Sequence, residues 1–355
     1  MRGMAWIRPT YTRSQVDRTG EILANPAGIS DDVLNESLNI VNNWRTAHNY
    51  PLHAITMTLR VRAKRVDQTR LIAQRIKRLR STEAKLRRFA GMQLSRMHDI
   101  GGCRAVVQSV SHVDSLVSVY EKARAKNPGR GHEFLKKYDY IKSPKKDGYR
   151  SIHLVYKYRT TSRRHRAWNG LRIEIQIRSR LQHIWATAVE TVDAFTGQAL
   201  KSNIGEESWK RFFALMGSMI ALKESKPTIP GTPSVEAEIK NDLKALYEQE
   251  RMEATLWGMS TAVEIIVAGK LGKAKLFLLD LNTREKKLSI RGYQEHEQPN
   301  ALTESLKLEK KHRDNPEVQV VLVSVGSAQA LKRAYPNYYL DLSSFMAQVN
   351  EAIKA

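Results

Sequence analysis

Leu171-Arg-Ile-Glu-Ile-Gln-Ile-Arg178 alternates strictly between apolar and polar residues. That period predicts a β-strand with one apolar and one polar face. The polar face carries Arg172, Glu174, Gln176 and Arg178 in a row. A solvated face usually mixes Lys, Thr and Ser; here one carboxylate sits among guanidinium and amide groups. Asp99 precedes a second expected strand, Gly101 to Ser109. If the two strands are neighbours, two carboxylates meet at one end of a sheet, and hard Mg²⁺ favours such oxygen ligands beside phosphates and waters. His98-Asp99 alone could suggest a metal hydrolase, but no second His cluster with ligand spacing accompanies it.

Two further stretches suit a polyphosphate. Arg75, Lys77, Ser81 and Lys85 could line a phosphate channel on one helical stretch, since Lys and Arg neutralise phosphate charge. Tyr140-Ile-Lys-Ser-Pro-Lys-Lys-Asp-Gly-Tyr149-Arg-Ser-Ile-His153 reads as a flexible basic loop. It ends in a ring that either stacks on a nucleobase or packs into the core. There is no GxxxxGK[ST] and no GxGxxG, so a nucleotide site here is of another type.

The elements that must hold these residues follow from the pattern. Residues 11–24 predict a short helix, and Ser30 can cap a second that starts at Asp31. Residues 53–62 fit helix or strand equally. Residues 64–89 read as helix with a break near Arg80-Ser81, and 112–126 as an amphipathic helix. Residues 151–158 predict another strand; 180–195 and 205–224 predict helices. Lys226-Pro-Thr-Ile-Pro-Gly-Thr-Pro233 cannot be helix and marks the clearest boundary. Beyond it come a long helix (234–268), kinked near Gly258, a hairpin (274–281 and 285–293), a helix (300–313), a strand (318–325) and two short helices.

Charge divides at the same place. The chain of 355 residues carries a formal charge of +23. Residues 233–355 hold seventeen Lys/Arg and seventeen Asp/Glu, so residues 1–232 carry the whole excess. The densest run, Arg60 to Arg96, has thirteen Lys/Arg against Asp67 and Glu83. Such a field attracts polyanions: nucleotides, nucleic acid or an acidic membrane surface. No apolar run reaches the length of a membrane span, and no secretory h-region opens the sequence. A lone cysteine, Cys103, excludes an intramolecular disulfide and a cysteine-rich zinc site. A cytoplasmic location is expected.

Together these stretches resemble the RelA/SpoT family of alarmone synthetases, in the order Arg75-Ile-Lys77 with Ser81 and Lys85; His98-Asp-Ile-Gly-Gly-Cys-Arg104; Asp139 to His153; and Glu174-Ile-Gln176-Ile-Arg178 followed by His183. The resemblance covers about 35–200. It implies an α/β (α+β) fold, a nucleotidyltransferase-like mixed sheet flanked by helices, with a smaller α/β C-terminal domain after it. The expected division is a synthetase domain at 1–225, a linker at 226–233 and a C-terminal domain at 234–355, which matches no motif and could bind a regulator.

The implied reaction moves the β,γ-pyrophosphate of ATP to a 3′-hydroxyl and releases AMP. By motif position, Asp99 and Glu174 would be catalytic and hold Mg²⁺. Arg75, Lys77, Ser81, Lys85, Arg104 and Arg178 would bind ATP. Tyr149 would stack on the acceptor base, with Lys142, Lys145, His153 and Gln176 around it. The chain resembles the small single-synthetase members: no hydrolase domain is recognised, so synthesis alone is expected, and a homo-oligomer is possible. GDP or GTP is the expected acceptor. Some small members are toxins that modify the 3′ end of tRNA, and a C-terminal domain could restrain such an activity. The remaining alternative is a non-catalytic, basic nucleic-acid-binding module.

Overall fold

The computed structural model describes residues 6–126, 128–196, 207–249, 276–282, 287–313, 318–324 and 343–354, with the single positions 252, 256, 274 and 315. Helices α1 (Arg13–Ala24), α2 (Asp31–Ala47) and α3 (Asn49–Val66) open the chain. Thr12 caps α1 reciprocally with Gln15. Ser30 does sit at the cap of α2, with extended backbone, but its side chain makes no cap bond. The ambiguous stretch 53–62 is helical: Leu52, Ile55, Thr56, Leu59 and Ala63 are buried at helical spacing.

The stretch 64–89 is not one helix. Asp67 ends α3, and its carboxylate accepts the amides of Thr69 (2.7 Å) and Gln108 (2.8 Å). That side-chain turn redirects the chain into strand β1 (Leu71–Ile76), and helix α4 (Leu79–Arg88) follows. Arg75 therefore lies on a strand, Lys77 just past its end, and Ser81 and Lys85 on a helix. Then come β2 (Gly101–Val107), α5 (Val110–Lys126), β3 (Glu133–Asp139), β4 (Ile152–Lys157), β5 (Arg172–Ser179), α6 (Arg180–Thr196) and α7 (Glu207–Lys223). Strand β3 escaped the sequence reading. It is an edge strand bearing Glu133, Lys136 and Lys137, so its apolar alternation is weak.

After the proline-rich segment come α8 (Glu236–Gln249), the hairpin β6 (Leu276–Asn282) and β7 (Lys287–Tyr293), α9 (Gln298–Lys311), β8 (Val318–Ser324) and α10 (Ser343–Lys354). Beyond 249 only Met252 and Leu256 of the expected helix are described, both helical; its kink near Gly258 and the first of the two final short helices fall outside the described residues. The strands form one mixed sheet in the order β3-β4-β5-β2-β1-β8-β6-β7. Strands β2 and β5 run parallel; β1 is antiparallel to β2, and β4 to β5. The C-terminal strands join this same sheet, because β8 pairs with β1 at Gln74↔Ser324 and Arg75↔Val323.

The register sorts residues onto two faces. One face carries Cys103, Ala105, Val107, Ile173, Ile175, Ile177, Ile152 and Leu154, packed under α3 and α5 through Leu52, Ile55, Leu59, Val113 and Leu116. The opposite face carries the polar residues. A second core joins α6 and α7 to α8 and α10 through Trp185, Phe212, Phe213, Leu243 and Phe345.

Candidate active site

Strand pairing alone brings the candidates together. Arg75 lies opposite Gly102, and Gly102 is beside Glu174. One pleat along, Arg104 is beside Gln176, which lies opposite His153. Arg75, Arg104, Glu174, Gln176, Arg178 and His153 thus share one sheet face. That face is not solvated: Glu174 is 8% exposed and Arg178 3%.

At one end of the face, Asp99 precedes β2. Its carboxylate accepts the Lys77 ammonium at 3.0 Å and the Lys85 ammonium at 3.0 Å. Burial works against the Asp99 charge, but the two ammonium groups prevail and hold the carboxyl well below its usual range. Burial depresses the Lys77 pKa, and Asp99 only partly opposes that.

The centre of the face is a hydrogen-bonded chain. His153 Nδ1 lies 3.0 Å from Glu174 Oε1, and His153 Nε2 lies 2.8 Å from the Tyr149 hydroxyl. Gln176 donates to Glu174 Oε2 at 2.7 Å, and Arg178 donates to Gln176 Oε1 at 3.2 Å. Burial opposes a charge on His153, yet Tyr149 and Glu174 outweigh it and pull the imidazole up to about 9. Burial likewise disfavours the Glu174 charge, but His153 lowers its pKa overall. Tyr149 is lowered to about 8, since His153 and Arg178 outweigh burial.

An aromatic wall flanks this chain. The Tyr140 ring lies 5.2 Å from His153 and 6.0 Å from Tyr149. The Lys145 ammonium stands over Tyr140 at 4.6 Å and over Tyr149 at 5.1 Å; the Arg178 guanidinium is 5.8 Å from the Tyr149 ring. Gly148 sets the Tyr149 position: its φ is +93°, and a Cβ there would stand 2.6 Å from Trp185 Cζ2.

Two candidates lie further out. Lys142 is exposed in the turn closed by Asp139, and Ser81 lines a 230 Å³ cavity shared with α9 and β8. Tyr140 was missed by sequence reasoning, although it opens the basic loop and alternates with Tyr138. An open groove continues from Lys85 and His98 past Arg96 and Arg172. Arg96 and Arg172 also line the neighbouring groove with Arg13, Arg18 and Lys157. Among the described residues no group of three or more His, Cys, Asp or Glu could hold a metal, and no helix is long and apolar enough to cross a membrane.

Residues 74–193 match the family described as the region found in RelA / SpoT proteins. That matched stretch spans the motifs from Arg75 to His183 that resemble the family. No curated protein matches it. Among solved structures, it is similar to the small alarmone synthetase 2 of Bacillus subtilis, with 20% identity over 52% of this chain and 93% of that one, at a TM-score of 0.42. For the small alarmone synthetase 1 of Bacillus subtilis bound to its product pppGpp, the values are 22%, 51%, 93% and 0.41. For a GTP pyrophosphokinase family protein from Streptococcus pneumoniae they are 23%, 50%, 84% and 0.38.

Proposed function

We propose that this protein is a cytoplasmic, ATP-dependent pyrophosphokinase that makes (p)ppGpp from GDP or GTP. One observation carries the reading: a doubly lysine-bound Asp99 just before β2 stands at one end of the sheet face that holds the Tyr149–His153–Glu174–Gln176 chain on β4 and β5, β5 being the parallel neighbour of β2. The acceptor 3′-oxygen bonds to Pβ of ATP, the bond from Pβ to the bridging oxygen breaks, and AMP leaves with that oxygen. The hydroxyl proton passes to Glu174. Arg75, Lys77, Lys85 and Arg178 bind the ATP phosphates, Arg104 packs against the adenine, and Ser81 approaches from α4. Tyr149 stacks on the guanine, with Lys142, Lys145, His153 and Gln176 around the acceptor. This chemistry needs positioning and charge neutralisation more than covalent participation.

Asp99 and Glu174 fit a Mg²⁺ site. A carboxylate just before β2 and one on its parallel neighbour β5 are a donor set that this ion uses together with phosphate oxygens. When bound, the ion would neutralise charge on the transferring pyrophosphate. The lysines now on Asp99 would then turn to the phosphates.

A second reading keeps the chemistry and changes the acceptor to the 3′ end of tRNA, with the C-terminal segment as a restraint. The groove lined by Arg13, Arg18, Arg96, Lys157 and Arg172 favours it, because it adjoins the groove that starts at Lys85 and His98 and offers basic side chains to a phosphodiester backbone. Incubation of the full chain with γ-labelled ATP, Mg²⁺ and either GDP/GTP or total tRNA decides between them. Label in a guanosine nucleotide supports the first reading; label in tRNA, lost when its 3′ adenosine is removed, supports the second. Label in neither, with Glu174→Gln indistinguishable from the parent, refutes both in favour of a non-catalytic binding module.

A further inference from the structure

Lys77 is held at both of its backbone groups. Its amide donates to the Ile100 carbonyl at 2.8 Å, one step past the β1–β2 ladder. Its carbonyl accepts Arg45 Nε at 3.0 Å. Arg45, in the last turn of α2, is 4% exposed. Three more of its donors are committed too: one to Asn42 Oδ1 at 3.0 Å, and two as a fork to Glu309, at 2.8 Å to Oε2 and 3.1 Å to Oε1. Glu309 lies on α9, more than two hundred residues away in the chain.

The same C-terminal segment reaches the ATP side by other contacts. Strand β8 pairs with β1 at residues 74 and 75, just before Lys77. Arg313 Nε lies 3.5 Å from Glu83 Oε1, and Arg80 donates to the Asn315 carbonyl at 3.1 Å, so α4, which carries Lys85, is held as well. Both lysines that grip Asp99 are thus backed by residues from beyond the proline-rich boundary.

We propose that Arg45 and Glu309 are positioning residues for the ATP half of the site: the C-terminal segment completes the nucleotide site, with Glu309 acting through Arg45 on the Lys77 carbonyl. The proposal rests on the pyrophosphokinase reading for the identity of the nucleotide. A buried fork that loses one partner leaves an uncompensated charge, and the least costly response is for the other side chain to move toward water. For Arg45 that movement takes the donor away from Lys77, whose ammonium then loses its fixed approach to the phosphates. Small displacements of a positioning group are expensive in phosphoryl transfer.

The test uses the full chain with Glu309→Gln and Arg45→Lys. For each variant, the KM of ATP, the KM of the acceptor, kcat, the thermal midpoint and the Kd of a non-hydrolysable ATP analogue are measured. Glu309→Gln is expected to raise the ATP KM and the analogue Kd about 10–150-fold, on the scale of one charge-assisted hydrogen bond. Acceptor KM stays within about twofold, and saturating ATP restores kcat. Arg45→Lys keeps a charge against Glu309 but removes the fork; it raises the ATP KM while moving the midpoint less, and it decides the matter if Glu309→Gln does not fold. Lys223→Gln is the control, because Lys223 pairs with Glu351 of α10 at 2.7 Å and so ties the C-terminal segment to α7 rather than to Arg45 and Lys77. A lowered midpoint with unchanged analogue Kd in folded Glu309→Gln overturns the proposal, as does an equal loss of affinity in Lys223→Gln. If the parent chain transfers no label to either acceptor, the pyrophosphokinase reading fails on its own, and the analogue Kd still reads the Arg45–Glu309 coupling.

Discussion

Replacing Asp99 with Asn probes the carboxylate that Lys77 and Lys85 share, on the side the proposed reading assigns to ATP. The parent carboxylate accepts two ammonium hydrogen bonds at 3.0 Å each, from side chains 19% and 29% exposed. Hydrogen bonds to charged groups contribute about 1.5–3 kcal/mol each. Asn keeps the shape and one acceptor oxygen, so one bond survives weakened while the second ammonium faces an amide NH₂. The expected loss at pH 7 is about 2–4 kcal/mol. Deprotonation of Lys77 bounds it. Burial already depresses the Lys77 pKa, and without Asp99 nothing opposes burial. A lysine with a folded pKa below its unfolded value destabilises at low pH, and that deficit fades as pH rises through the folded value toward about 10.4, at about 1.4 kcal/mol per pKa unit. Urea unfolding of Asp99→Asn and the parent at pH 6, 7.5 and 9 should therefore show a gap that narrows upward. Activity at pH 7 should fall by about a thousandfold, the scale of a lost electrostatic contact to the transition state. A variant as stable as the parent at every pH would refute the counter-ion role of Asp99, and a gap independent of pH would refute the part assigned to Lys77.

Other perturbations follow from the same geometry. His153, raised to about 9 from an ordinary value near 6.5, contributes stability that is complete below about pH 6.5 and is lost as pH rises through about 9. The thermal midpoint of His153→Asn should fall less over that window than the parent's. Gly148→Ala places a methyl group 2.6 Å from Trp185 Cζ2 at a φ of +93°; denaturant titration should show a loss of about 2–4 kcal/mol, and the acceptor KM should rise because Tyr149 is displaced. Burial pushes the Cys103 thiol up to about 12. Iodoacetamide at pH 8 should leave the native thiol unmodified and label it in urea; labelling of the folded chain would show that the apolar face under α3 opens.

The strand around Glu174 was legible because its alternation is strict and its polar residues are of unusual type. Its neighbours were legible for a related reason: Gly101-Gly102 followed by an apolar run leaves few alternatives. The stretch holding Arg75 and Lys77 was misread as helix because six basic residues between Arg60 and Arg75 obscure the alternation of Leu71, Ala73 and Arg75. Only the Asp67 turn, a side-chain effect across 41 positions to Gln108, separates helix from strand there. Edge strand β3 was missed because its exposed face needs no apolar pattern. Arg45 was invisible as well. Nothing local distinguishes an arginine in the last turn of a helix from one that complements the helix dipole; its meaning lies in Glu309, beyond the reach of periodicity.

The change of charge near residue 233 takes on a physical sense once β1 is seen at the middle of the sheet. On one side of β1 lie β2, β5, β4 and β3, from the segment that carries the excess of basic residues. On the other lie β8, β6 and β7, from a segment of balanced charge. Without β8, β1 would present free backbone groups on the strand that carries Arg75, a template for unwanted pairing. A neutral neighbour closes that edge without adding repulsion to the crowded lysines and arginines of β1 and α4. Besides Arg211–Asp242 and Lys223–Glu351 at α7, ion pairs cross the boundary next to the β1 end: Glu309 meets the buried Arg45, while Arg313 in return meets the buried Glu83. Two ion pairs of opposite sense, Arg45–Glu309 and Glu83–Arg313, hold the segment without changing the net charge there, so the face keeps the positive charge that the proposed reading assigns to phosphate binding. Charge reversal of both partners, Arg45→Glu with Glu309→Arg, restores that electrostatic balance but gives Lys77 no donor for its carbonyl. The expected outcome is a thermal midpoint nearer the parent's than either single variant's, alongside an ATP KM that stays raised. Recovery of both together would mean that the segment acts on the site through charge alone.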